Sequence, residues 1–271
     1  MNSTKRVARG MAVALASTAL AAHADLTAGI NIAGNNNANN LLNLRAAGDQ
    51  TAGVGIYATD AWTDIDVSNR YTGSDPNIHA VSGFSWGPLS FRDSTGASAG
   101  MISSSLSSGF NGFSGSVNAM ADSADRTLMN GFTAWDPIDG TAPEDSGTLT
   151  LSGLSTAFTA APGGYAVVVY FDTDNNAREA TITVGGTTRN GLDGSTFSGT
   201  YREAVGAGID ANFAVFSGLT APSVNIDVDS NTGRMAVNGI VLYAIPEPLT
   251  LGLVALGLPL VVWVRRRRAR C

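Results

Sequence analysis

Cysteine, lysine and histidine are almost missing from this 271-residue chain: it has Cys271, Lys5, His23 and His79, and no others of these types. One cysteine cannot close an internal disulfide, and one or two histidines without cysteine cannot assemble the usual zinc ligand sets. Most nucleophile and proton-relay schemes lose their parts for the same reason. Charge is also scarce, at 14% of residues, and aromatics make up only 7%. Basic charge is concentrated at the two ends. Residues 25–243 hold eight arginines, no lysine and 21 acids, a formal net charge of −13. Such a surface repels phosphate backbones, so nucleic-acid binding is not expected. What is abundant is glycine, 32 residues, amid serine, threonine, asparagine and alanine.

The ends read as addresses. Lys5, Arg6 and Arg9 precede an apolar stretch from 11 to 22, and Ala22-His23-Ala24 follows. A positive start, a short apolar run and small residues around one free position are what a signal peptidase accepts, so residues 1–24 are expected to leave as a signal peptide. At the other end, residues 249–264 carry no charge, and Arg265-Arg266-Arg267-Arg268-Ala269-Arg270 follows directly. As a helix this run reaches roughly 24 Å, slightly less than a hydrocarbon core of about 30 Å, and spans only marginally. Arginines that stay cytoplasmic would act as the stop-transfer signal and leave the body on the outer side of the membrane. Cys271 lies last and not fourth from the end, so it forms no prenylation box.

Immediately before the apolar run stands Ile245-Pro246-Glu247-Pro248, which two prolines keep extended and accessible. Pro246-Glu247-Pro248, an apolar span and an arginine cluster, in that order at the C-terminus, closely resemble the PEP-CTERM sorting signal of Gram-negative bacteria. The resemblance covers residues 244–271 and implies a partner, a membrane-embedded, cysteine-dependent exosortase. That enzyme would remove the tail and pass the protein to the cell surface or the extracellular polymer matrix. On this reading Pro246, Glu247 and Pro248 are a recognised substrate and do no chemistry of their own.

Residues 25–243 read as one secreted all-β domain. Short apolar runs alternate with Gly, Ser, Asn, Asp and Thr clusters, and a period of two dominates. Strands are expected at 26–32, 148–154, 165–171, 180–184, 197–201, 212–216, 224–228 and 235–243. The run Tyr165-Ala166-Val167-Val168-Val169-Tyr170-Phe171 has no polar alternation, which predicts a strand covered on both faces. The Gly/Ser-rich stretch 82–118 carries Phe84, Trp86, Leu89, Phe91, Phe110 and Phe113, too many apolar anchors for a tether, and predicts further short strands. A helix is expected within 117–128. The spacing predicts an antiparallel sandwich or jelly roll. Phrases at 29–34, 151–154, 164–171, 216–220 and 234–240 are similar to those of secreted PEP-CTERM proteins whose body is a galactose-binding-like sandwich, a resemblance that implies a fold and hardly an activity.

Candidate chemistry is thin. Gly83-Phe84-Ser85-Trp86-Gly87 matches the nucleophile elbow of α/β hydrolases, but Pro88 follows where a helix should start, and His79 precedes the serine instead of following it. Paired carboxylates could serve a glycosidase, although most acids sit beside turn residues. Calcium is the better metal. Asp172 and Asp174, and separately Asp227, Asp229 and Asn231, place oxygens at alternate positions as hard-cation loops do, and the same residues also make a good strand exit and a good hairpin turn. For sugar binding the aromatic candidates are Trp62, between Asp60 and Asp64, and Trp135, before Asp136; packing inside the sandwich is the structural alternative for both. The expectation is a non-enzymatic surface or matrix component, with a carbohydrate-binding module or polysaccharide-active glycosidase as the alternative.

Overall fold

The computed structural model describes residues 26–33, 35–36, 40–41, 51–66, 81–82, 85–106, 108–113, 123–135, 146–172, 177–195, 197–231 and 235–246. Among these, strands predominate and helices are short. A five-stranded sheet runs in the order β14 (Phe213–Leu219), β11 (Tyr165–Tyr170), β17 (Gly239–Ala244), β1 (Thr27–Ala33), β4 (Trp62–Asp66). A six-stranded sheet runs β13 (Thr187–Asp193), β12 (Arg178–Val184), β15 (Val224–Ser230), β10 (Ser146–Ser152), β7 (Ser98–Leu106), β6 (Ser85–Arg92). Every pairing in the two sheets is antiparallel except β1 with β4, which is parallel. A smaller sheet joins β16 (Met235–Val237), β9 (Gly131–Trp135), β8 (Ser108–Phe113) and β5 (Val81–Ser82), and a two-residue ladder pairs β2 (Asn35–Asn36) with β3 (Asn40–Leu41).

The two large sheets face each other across one apolar core. Ile30, Val167, Val169, Phe216 and Leu242 from the five-stranded sheet share it with Phe91, Ile102, Leu151, Ile182 and Ile226 from the six-stranded one. In the six-stranded sheet burial alternates residue by residue along β10, β12 and β15, so its far face is wet. That wet face is laced by Thr148 to Asp227 at 2.7 Å, Thr150 to Asn225 at 3.1 Å and Thr181 to Asn190 at 3.0 Å.

The five-stranded sheet is covered on both sides. All six residues of β11 are buried, as their unbroken apolar run predicts. The outer cover consists of helix α1 (Ala124–Asn130), the 3-10 turn Gly55–Tyr57 and the segment around Phe197 and Tyr201; Leu128, Met129 and Phe197 pack there on Val168, Tyr170 and Val241. Ser123 caps α1 by accepting from the Arg126 amide at 3.1 Å. In the same cover the Asp125 carboxylate accepts from the Gly53 amide at 2.9 Å and from the Tyr201 hydroxyl at 2.8 Å.

Three local expectations change. The helix within 117–128 begins only at Ala124, and 114–122 lie outside the described residues. Residues 197–201 form no strand: Phe197 and Tyr201, four residues apart, turn inward with exposed residues between them, and the Tyr201 ring lies 5.0 Å from Phe197, 5.5 Å from Tyr170 and 6.1 Å from Phe213 as part of the cover. The single strand expected at 235–243 breaks at Asn238, so that β16 joins β9 while β17 joins β11 and β1.

Asn238 makes that break possible. It is fully buried; its Oδ1 accepts from the Asp172 amide, and its Nδ2 donates to the carbonyls of Met129 at 2.9 Å and Gly131 at 3.1 Å. Its own amide donates to the Tyr170 carbonyl and its carbonyl accepts from Ile32. Asn238→Ala strands one amide and two carbonyls in the interior, at about 1–3 kcal/mol for the first group left unpaired. We expect a loss of about 2–4 kcal/mol in urea unfolding, against less than about 0.5 kcal/mol for the exposed control Ser217→Ala.

Candidate functional site

Two places gather polar groups beyond what the sheets need. The first is a groove of about 270 Å³ where the edge strand β4 passes the edge strand β6, lined by Asp60, Trp62, Thr63, Arg92, Asp93 and Ser94, among others. Its turn is locally built: the Asp93 Oδ1 accepts from the Thr95 amide, the Thr95 hydroxyl and the Ala97 amide at 2.9, 2.6 and 3.1 Å. Arg92 donates from Nη1 to the Gly96 carbonyl at 2.8 Å and from its amide to the Thr63 hydroxyl at 3.1 Å. Asp60 is exposed at the rim. Asp93 is therefore occupied as a turn former, which leaves the groove without a second carboxylate for paired acid and base work.

Trp62 lines this groove only by its edge. The residue is 6% exposed, its Nε1 donates to the Thr59 carbonyl at 2.7 Å, and a Cβ on Gly29 would come within 2.6 Å of its Cε3 atom. Trp62 is thus not the open platform the sequence offered; the glycine opposite exists to let the indole lie flat on β1. The Asp64 carboxylate accepts from the Asn31 side chain at 2.7 Å. Trp135 ends β9 opposite Met235, and Asp136 and His79 lie outside the described residues. Ser85 opens β6, followed by strand and not by helix, which removes the elbow geometry of a hydrolase.

The second place is where the C-terminal ends of β11 and β13 meet. Gly191 lies against the Phe171 ring, so the two strands approach closely there. One residue on, Asp172 is 0% exposed, and two residues on from Gly191, Asp193 is 1% exposed. No hydrogen bond of strict geometry reaches either Asp172 carboxyl oxygen, but the Asp193 carboxyl and the Phe197 amide lie close enough to shift its protonation. Burial pushes the Asp172 carboxyl up to about 9, and the facing charge of Asp193 adds to the rise; the nearby Phe197 amide offsets part of it and Asp210 adds a smaller increment. Asp210 is itself satisfied, by the Gly194 amide at 3.1 Å, the Ser195 hydroxyl at 2.9 Å and the Arg202 guanidinium at 3.2 Å. The buried tyrosines are structural: burial lifts Tyr165 to about 12 and raises Tyr170 and Tyr201 as well, so none supplies a proton near neutrality.

The remaining sequence candidates separate. Asp227 and Asp229 do not sit in a loop; both lie on β15, which continues through Ser230, and they project from its wet face. Asp227 accepts from Thr148, and the exposed Asn231 donates from Nδ2 to the Thr181 hydroxyl at 3.1 Å. The second calcium loop is thereby replaced by cross-strand pairs. Asp174 lies outside the described residues. Among the described residues no three His, Cys, Asp or Glu side chains converge as a metal-binding group. Sequence reasoning found Asp172 but missed Asp193, which sits inside a β-strand whose Asn190-Gly191-Leu192-Asp193 reads as a turn.

Of the sorting motif, Pro246 is described: it follows β17, where the Ile245 amide donates to the Gly164 carbonyl at 2.9 Å and the Ile245 carbonyl accepts from Gly163 at 3.2 Å. Glu247, Pro248, the apolar run 249–264, Arg265, Arg266, Arg267, Arg268 and the leader 1–24 lie outside the described residues. Among those that are described, no helix is long and apolar enough to cross a membrane. No protein-family model and no curated protein matches the chain.

The Asp172 carboxyl titrates higher in the folded chain than the ordinary 3.8, so its contribution to stability is fullest below pH 4 and disappears as pH rises towards 9. In chelator, so that no cation compensates, urea unfolding should show stability falling across that window. Asp172→Asn should flatten the slope; a wild-type profile without that fall contradicts the assignment.

Proposed function

We propose that this chain is a non-enzymatic protein of the cell surface or extracellular matrix, exported by the secretory route and handed to an exosortase at Pro246-Glu247-Pro248. The observation that carries this reading is the ordered set of Pro-Glu-Pro, uncharged run and arginine cluster that follows β17 after the single residue Ile245. The geometry is in keeping with it: among the described residues the backbone hydrogen bonds run up to Ile245, and the next residue is the proline of the motif, so a processing enzyme would act beside an ordered body. An acidic, lysine-free body with one wet sheet face of threonine, asparagine and aspartate suits a hydrated polymer matrix. We read the two-layer body as a galactose-binding-like jelly roll, with the parallel β1–β4 pairing as a departure from that plan.

The test is localisation. In the native host, Pro246→Ala with Glu247→Ala should leave the chain unprocessed in the inner-membrane fraction, while the unaltered chain appears shortened at the surface or in the medium. Identical size and location for both would refute the proposal.

One observation favours carbohydrate binding as a second reading: the Asp60/Thr63/Arg92 groove holds a carboxylate, a hydroxyl and a guanidinium around a volume fit for one sugar ring. On a glycan array, binding by the unaltered chain that falls at least tenfold with Arg92→Ala and Asp60→Ala supports it. Silence of the unaltered chain removes it.

A further inference from the structure

We propose that the groove between β4 and β6 takes a cationic amino sugar, a pyranose with a free ammonium beside its hydroxyls, and that Asp60 is the anion which receives the ammonium. This rests on the carbohydrate reading of the groove and adds the charge class of its ligand. Trp62 is 6% exposed and presents an edge, so the described lining offers no open aromatic face for a sugar ring to stack on. Neutral hydroxyls gain little by exchanging water for protein, so a ligand held here draws its affinity from charge. The sign of that charge is set by the surroundings. Asp60 and Asp93 stand against the single Arg92 in the lining, and residues 25–243 carry eight arginines against 21 acids. A uronic acid would meet Arg92 but enter a field of its own sign. An ammonium is drawn in by the same field.

The side chains divide between separate parts of such a ligand. Asp60 is exposed, and its carboxylate makes no hydrogen bond and no ion pair among the described residues, so it is open to a cation. Asp93 does not compete for it, being 6% exposed with its Oδ1 taken by the Thr95 and Ala97 amides and the Thr95 hydroxyl. Arg92 is steadied by Nη1 on the Gly96 carbonyl, which leaves its other N–H groups to donate to hydroxyl and ring oxygens. The Thr63 hydroxyl accepts from the Arg92 amide and keeps its own proton for donation. The turn that presents Asp60 is fixed before a ligand arrives. Ala52 and Thr59 exchange both backbone hydrogen bonds, at 3.0 and 2.9 Å, and the Thr59 hydroxyl accepts from the Ala61 amide at 3.0 Å. The Ala61 carbonyl in turn accepts from the Gly29 amide of β1 at 2.8 Å, so little order remains to be imposed on binding.

The experiment titrates the full-length chain in mild detergent, at about pH 6 where such an amine is protonated, and reads binding by calorimetry. The probes are short oligomers of matched length, of glucosamine, of N-acetylglucosamine and of a uronic acid. The glucosamine oligomer should bind about tenfold more tightly than its acetylated counterpart, with the uronate weakest, and added salt should narrow the gap. Asp60→Asn should remove the preference at an unchanged thermal midpoint, which separates a lost contact from failed folding. Asp227→Asn with Asp229→Asn, which takes two acids from the wet sheet face, should keep it. Equal loss in both variants makes the attraction a property of the whole acidic body and overturns the proposal. Equal affinity for the free and acetylated oligomers, or a preference for the uronate, also overturns it and leaves the groove a carbohydrate site of another class. Silence with all three oligomers ends the proposal and the carbohydrate reading together.

Discussion

Asn238 ties the end of β11, the α1–β9 corner and the start of β17 together through one buried side chain. A strand that continued from Met235 to Ala244 in one sheet would leave β16 without its ladder to β9 or β17 without its partners. The amide side chain ends one ladder and starts another by serving as a surrogate backbone, accepting from Asp172 and donating to Met129 and Gly131. A buried carboxamide with its donors and acceptor satisfied costs little, and fixes one arrangement because any shift leaves the group unpaired. From that point the α1–β9 corner, the end of β11 and the start of β17 take their relative positions, and with them the place where Asp172 is carried inward.

The rest of the architecture follows from which sheet is covered twice. The six-stranded sheet needs apolar residues on one face only, and its alternating pattern reads directly in β10, β12 and β15. The five-stranded sheet needs a second cover, and the chain makes it from little regular structure: two turns of helix, one 3-10 turn and a loop of aromatic residues. Tyr170 is the seam between ordered sheet and irregular cover, since its hydroxyl accepts from the Val54 amide at 3.1 Å while its ring meets Tyr201. Irregular cover costs more chain entropy per buried ring than a helix would, and the tyrosine hydroxyl bonds help to hold it.

Much of this was readable beforehand, and the exceptions have physical causes. The all-apolar β11 announced a doubly covered strand because nothing else explains Tyr165 to Tyr170 without a polar break. β4, β9 and β13 were hidden: Thr-Asp-Ile-Asp, Gly-Phe-Thr-Ala and Thr-Thr-Arg-Asn-Gly are strands by virtue of their neighbours, and β-propensity measures fit to neighbours more than any intrinsic bias. Phe197 to Tyr201 misled in the other direction, since a loop lying across a sheet can also bury two rings of a short segment. Asp227 and Asp229 looked like a loop because aspartate and asparagine favour turns, but on a wet sheet face a threonine opposite makes an aspartate a good strand residue.

The same distinction separates acids that serve the surface from acids that serve a site. Asp227, Asp125, Asp93 and Asp210 each accept from named donors, so each is a structural carboxylate with its charge spread over hydrogen bonds. Asp172 has no such donor of good geometry, only the Asp193 carboxyl and the Phe197 amide beside it. In a body with a formal net charge of −13, burying one more negative group beside another has no structural advantage unless something positive arrives. A proton fills that role, because burial holds the Asp172 carboxyl up to about 9 and keeps it neutral below that pH.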